Sequence, residues 1–133
     1  MIIGCDIDGV LTPLRFRINF RLPWWVFLFL AFVPSNKRML KILISLSASH
    51  KIVLVSSRPK QLNWLTQWWL KRNYVPYSSL FLVESGPGIE QRKLEIIREE
   101  KIDLFIDDDE KIVIFLREHG INALSPEGVF LKI

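Results

Sequence analysis

The sequence predicts a three-layer α/β domain built on a doubly wound, mostly parallel sheet. Two patterns lead there: short apolar, β-branched runs alternate with segments whose apolar residues recur at helical spacing, and three of the runs break off in polar or acidic clusters. Size and composition agree. A chain of 133 residues matches one domain, its 50% hydrophobic residues can cover both faces of a sheet, and 24% charged residues exclude wholesale disorder.

The first strand is expected at Ile2 to Cys5, an apolar run that reaches Asp6, Asp8 and Gly9. From Pro13 to Pro34 the composition changes. Arg15, Arg17 and Arg21 lead into a charge-free run from Leu22 to Val33, shorter than the roughly 20 residues a helix needs to span a bilayer and bracketed by Pro23 and Pro34. A transmembrane helix is therefore not expected. Within a single domain of residues 1–133, residues 13–34 read as a flap, cap or contact segment. A phosphate-facing lid, a helix at a membrane surface and an oligomer contact all suit its arginines and aromatics, and the three stay open.

Ser35 or Asn36 caps a helix carrying Met39, Leu40, Leu43, Ile44 and Leu46 towards His50. Lys51 to Val55 is the second strand, ending in Ser56, Ser57 and Arg58, with Pro59 acceptable in the first turn of the next helix. That helix carries Leu62, Leu65, Trp68, Trp69 and Leu70 and ends by Asn73 and Pro76. Ser79 to Val83 is a third strand, followed by the turn-rich Glu84 to Gly88 and a helix through Ile89, Leu94 and Ile97. Asp103 to Ile106 rises as the fourth strand and stops at Asp107, Asp108 and Asp109. A helix from Glu110 to His119 closes on Gly120, Ile121 to Leu124 is a fifth strand, and Val129 to Ile133 adds an edge strand or lies across the domain.

In a doubly wound sheet ligands gather beyond the C-terminal ends of the strands, and Asp6 to Thr12, Ser56 to Arg58 and Asp107 to Asp109 all fall there. Asp6 and Asp8, one residue apart, leave the backbone on the same side while Gly9 lets it bend. Carboxylates brought together need a cation or a shared proton. Magnesium, which favours hard oxygen ligands and keeps waters for substrate phosphates, is the economical choice.

Other chemistries find less support. No Cys/His group has zinc spacing, Cys5 in its apolar run reads as a small buried residue, and His50 and His119 near helix ends lack a ligand partner. One cysteine forms no internal disulfide, and no secretory signal precedes the first strand, so a cytoplasmic location is expected. A charge of +4 would attract phosphorylated partners, but the basic residues do not form the single stripe of a sequence-specific nucleic-acid binder.

The motifs resemble those of a known family. Asp6-Ile7-Asp8-Gly9-Val10-Leu11-Thr12 is similar to the first signature of the haloacid dehalogenase-like (HAD) hydrolases with an aspartate nucleophile. Ser56 is similar to the second, Lys93 to the third, and Leu104 to Asp108 to the metal-binding fourth, in the family's order. The resemblance implies a HAD-like, Rossmannoid fold with a small flap or minimal cap. It implies magnesium-dependent phosphomonoester hydrolysis in which Asp6 attacks phosphorus and Asp8 protonates the leaving group and then activates water.

By the same resemblance Ser56 hydrogen-bonds the phosphoryl group, and Lys93 compensates the charge on Asp6 and phosphate. Metal ligation is expected from Asp6, from Asp8 through its backbone carbonyl, and from Asp108, with Asp107 supporting; Asp109 reads as a helix cap. Gly9, Ser57 and Arg58 are the substrate-side candidates, although an exposed salt bridge suits Arg58 equally. The opening resembles sugar-acid phosphate phosphatases and Ile106-Asp107-Asp108 resembles deoxynucleotidases, so a sugar phosphate and a nucleotide are both candidate substrates. A phosphotransferase, a homo-oligomer, and a non-catalytic module contacting protein or membrane through residues 22–33 are the alternatives.

Overall fold

The structure is a computed structural model describing residues 1–13 and 31–132; most of the proposed flap, residues 14–30, lies outside the described residues. Five parallel strands form one sheet in the order β3-β2-β1-β4-β5, with β1 at Ile2–Cys5, β2 at Lys51–Ser56, β3 at Ser79–Leu82, β4 at Leu104–Ile106 and β5 at Ala123–Leu124. Strand β1 is central because it pairs on both sides: Gly4 stands opposite Val53 of β2 and Phe105 of β4. A side chain at Gly4 would press on Ile102 and Phe105, so this strand admits no larger residue there without repacking.

Each crossover is helical, as parallel pairing demands. Helix α1 (Lys37–Ser47) links β1 to β2; a 3-10 turn at Lys60–Leu62 and α2 (Asn63–Arg72) link β2 to β3; α3 (Ile89–Glu99) crosses from β3 to β4, and α4 (Glu110–Glu118) joins β4 to β5. Asn36, not Ser35, caps α1, its Oδ1 accepting from the Met39 amide at 3.2 Å. Asp109 caps α4 by accepting from the Lys111 amide at 3.0 Å.

Two apolar layers separate the helices. One side of the sheet packs Ile3, Cys5, Ile52 and Leu54 against Met39 and Leu43 of α1 and Trp69 and Leu70 of α2. The other packs Val53, Val55 and Phe105 against Leu94 and Ile97 of α3 and Ile112 and Leu116 of α4. Burial raises the Cys5 thiol far above its ordinary range, in keeping with a packing role.

Of the two readings of the C-terminal piece, an edge strand or a segment lying across the domain, the edge strand is not formed. Pro126–Lys132 is a helix, α5, with Val129 in the first apolar layer. Ser125 Oγ accepts from the Gly128 amide at 3.1 Å and Pro126 occupies the first turn, a capping arrangement that outweighs the β-like run after it. No described helix is long and apolar enough to cross a membrane.

Candidate active site

Strand β1 delivers Asp6 to the C-terminal edge of the sheet, where the Asp6 amide still bonds Ile106 O at 3.0 Å and so holds the start of the loop to β4. The chain then turns tightly. The amides of Val10, Leu11 and Thr12 all point to Ile7 O, at 3.2, 2.7 and 3.1 Å, which buries Ile7 beneath the loop. Gly9 sits in this turn at φ +83°, and a Cβ there would overlap the Asp108 carboxylate. Glycine is thus required twice, by the backbone angle and by the close approach of Asp108.

Asp6 Oδ1 accepts from the Ile7 amide at 2.7 Å and Oδ2 from Lys93 Nζ at 2.9 Å. Lys93, fully buried on α3, also donates to Asp107 Oδ2 at 2.6 Å, and Asp107 Oδ1 accepts from the Asp109 amide at 3.0 Å. One ammonium, 87 residues along the chain from Asp6, therefore bridges the ends of β1 and β4. Oxygens of Asp6, Asp107 and Asp108 lie within 4.8 Å of one another.

Electrostatics follow from this crowding. Burial pushes the Asp6 carboxyl up to about 7, opposed by Lys93 and reinforced by the charges of Asp107 and Asp8. Burial also raises Asp107, with Lys93 and the Asp109 amide pulling the other way. For Lys93, burial disfavours the ammonium, but Asp6 and Asp107 outweigh it and hold the group above the ordinary lysine range.

Asp6 and Asp107 are buried and Asp108 is partly buried, so the cluster gathers carboxylate oxygens where little water reaches them. Hard oxygen donors at this separation fit a small divalent ion such as magnesium, whose octahedral ligands stand about 2 Å from the metal. Asp6, Asp107 and Asp108 are the residues that would hold it.

Asp8 is turned elsewhere. Its carboxylate receives the Arg58 fork, Nε to Oδ2 and Nη2 to Oδ1, both at 2.8 Å, and Oδ1 also takes the Thr12 hydroxyl at 3.2 Å. Arg58 Nη1 donates to Thr66 Oγ1 of α2 at 3.1 Å, and Arg58 and Thr66 are buried. The exposed salt bridge offered for Arg58 is thus a buried one, because the chain after β2 folds back over the first loop. Asp8 contributes no carboxylate oxygen to the three-aspartate cluster.

Ser56 closes β2 one register step beyond the level of Asp6, fully buried, its Oγ accepting from the Arg58 amide at 3.1 Å. Ser57 is half-buried at the turn. His119 Nδ1 meets Phe115 O at 2.8 Å and His50 lies near the end of α1; neither joins the acidic cluster.

Thr66 had no signal of its own, since a threonine inside an amphipathic helix resembles any other polar position. Its one clue is a buried place on a face shared with Trp69 and Leu70. A cavity of about 820 Å³ follows the open edge of β3 between Lys60 and Ile96, and another of about 320 Å³ opens beside Asp108.

Comparison with known proteins fits this geometry. The HAD domain of effector protein Lem4 from Legionella pneumophila superposes over 93% of this chain and 83% of its own, with a TM-score of 0.53 at 14% identity. The fold is therefore HAD-like. Two structures of the Pnkp1/Rnl/Hen1 complex, one described as an RNA repair complex, share this HAD-like fold more closely. Each gives a TM-score of 0.73 at 20% identity over 93% of this chain, covering 45% and 41% of theirs.

A nucleotidase of Clostridium acetobutylicum is 28% identical over 89 residues, 67% of this HAD-like chain and 44% of the relative. The chain thus spans less than half the length of that curated relative. No protein-family model matches it.

Proposed function

We propose that this HAD-like domain hydrolyses phosphomonoesters with the help of a bound magnesium ion. The observation that carries the reading is the gathering of carboxylate oxygens at the end of the central strand, where Asp6 and Asp107 share Lys93 and Asp108 stands beside them. Such a site favours a dication, and a dication beside a carboxylate nucleophile suits phosphoryl transfer. When bound, magnesium would offset charge on the phosphoryl oxygens.

The chain's own groups divide the remaining work. Asp6 attacks phosphorus, the ester bond breaks, and the leaving oxygen takes a proton from Asp8; water then cleaves the aspartyl-phosphate, giving its proton back to Asp8. Oδ1 of Asp8 is occupied by Arg58 and Thr12, while Oδ2 accepts only from Arg58 among the described contacts. Oδ2 therefore retains a lone pair and is the atom for proton transfer. Ser56 and Lys93 hold the phosphoryl oxygens, and Arg58 fixes Asp8.

The nucleotidase relative favours nucleotides over sugar phosphates as substrates. A panel of nucleoside monophosphates and sugar phosphates, incubated with magnesium, tests both levels. Phosphate release from at least one nucleotide, absent in Asp6→Asn, is expected. Equal release by the mutant would remove Asp6 as nucleophile, and release from sugar phosphates only would remove the nucleotide assignment.

A further inference from the structure

The two helical layers differ sharply in charge. Between Gly9 and Val83 the sequence contains eleven lysines and arginines and no aspartate or glutamate, whereas twelve of the fourteen acidic residues follow Val83. Topology turns this division of the sequence into a division of faces. Helices α1 and α2 lie side by side on one face of the sheet and α3 and α4 cover the other. The first face presents Lys37, Arg38 and Lys41 from α1 and Lys71 and Arg72 from α2, all exposed, and neither helix carries a carboxylate. Glu127, at the start of α5, is an acidic residue of that layer. The second face mixes Glu95, Glu99, Glu110 and Glu118 with Arg98, Lys111 and Arg117 and so carries no comparable excess of positive charge.

The basic face also exposes large apolar side chains. Phe32, Trp64 and Trp68 are 64%, 67% and 43% exposed, and Ile44 of α1 is 49% exposed. Phe32 and Trp68 meet edge to face with centroids 5.9 Å apart, and the Arg72 guanidinium lies 5.4 and 5.3 Å from the two rings. Aromatic rings beside cations match the boundary between lipid headgroups and acyl chains. In sequence, the charge-free run from Leu22 ends at Phe32 and Val33, and Val33 is fixed to α2 by Trp69 Nε1 donating to its carbonyl at 2.8 Å.

Charge selects among occupants. A second copy docked face to face would set one basic layer against another. A single nucleic-acid strand is best held in a basic groove lined by stacking aromatics, whereas these cations stand on the outer sides of two helices with Ile44 among them. We propose that the α1/α2 face docks on an anionic phospholipid bilayer, with Lys37, Lys41 and Lys71 on the headgroups and Phe32, Trp64 and Trp68 in the interface.

Cosedimentation of the full chain with phosphatidylcholine vesicles, with and without phosphatidylserine, tests this. Binding should require phosphatidylserine and weaken as salt rises. Reversing Lys37, Lys41 and Lys71 to Glu together should lower partitioning by at least about 100-fold, since losing the three cations alone accounts for about fivefold each. The same reversal at Arg98, Lys101 and Lys111, away from this face, should change it by less than about threefold, and Trp64→Ala should weaken it with the charge intact.

Circular dichroism checks that each variant is folded, and the wild-type comparison of the two vesicle types decides the matter even if one is not. No sedimentation, equal sedimentation with pure phosphatidylcholine, or equal loss from both charge reversals would overturn the proposal. So would self-association through Lys71 and Trp64, or binding of a single-stranded oligonucleotide by a chain that ignores vesicles.

Discussion

Asp6 and Asp8 leave the same loop with only Ile7 between them, as their one-residue spacing requires, yet they meet different cations. Asp6 shares Lys93 with Asp107, and Asp108 stands beside them with an oxygen within 4.8 Å of theirs. Asp8 receives both prongs of Arg58, whose third nitrogen rests on Thr66, and those two charges balance. The first arrangement is a cluster able to coordinate a metal ion. The second is complete in itself and serves to fix where one carboxylate points.

Removing the shared ammonium should have the largest effect. Lys93→Met leaves Asp6 and Asp107 buried against each other, which should cost roughly 3–5 kcal/mol of cation-free stability and abolish turnover. Urea unfolding and phosphate release check the two parts. If Lys93→Met is as stable as wild type, the ammonium does not hold the carboxylates together.

Proton linkage separates the arrangements next. Burial holds Asp6 at about 7 in the folded chain against an ordinary aspartate value of 3.8, so between those values the folded state keeps a proton that the unfolded state has released. The cation-free protein should accordingly lose stability as pH rises from about 4 through about 7, by a few kcal/mol at most. Magnesium favours the ionised form, so its stabilising effect should grow over that upper range. Thermal unfolding at several pH values, with and without magnesium, measures both; a magnesium effect that shrinks on raising pH would contradict the assignment.

Changes at the balanced pair should be milder and should spare cation binding. Arg58→Lys keeps a charge but loses the fork, and kcat should fall about 10–100-fold with little change in magnesium affinity. Thr66→Val removes only the brace on Arg58 and should cost about 1 kcal/mol and a few-fold in kcat, with Thr66→Ser restoring it. A large loss of magnesium affinity in either variant would show that the two arrangements are not separate.

Much of the fold was legible because β-branched runs such as Lys51 to Val55 end abruptly in polar residues, and strand ends define one edge of a parallel sheet. The same boundaries brought Asp6, Ser56, Asp107 and Asp108 to that edge. Lys93 came from the family resemblance, since nothing local distinguishes it from other helical lysines. The partners of Arg58 were not legible, because Asp8 lies 50 residues away and only the packed chain decides which carboxylate fills its fork.

The C-terminal helix shows why one of the two readings of that piece, the edge strand, did not hold. Val129 to Ile133 has the composition of a strand, and Ser125-Pro126 before it is the stronger signal. Charge segregation between the helical layers likewise needed topology, which assigns consecutive helices to faces.

Calorimetric titration of magnesium into wild type and Asp108→Asn at pH 8 tests the central claim most directly. Wild type should bind one ion per chain, and the variant, which keeps its shape but loses one charged donor from the cluster, should bind at least about tenfold more weakly. Equal affinity in the two proteins, or no binding to wild type, would contradict a cation site at Asp6, Asp107 and Asp108.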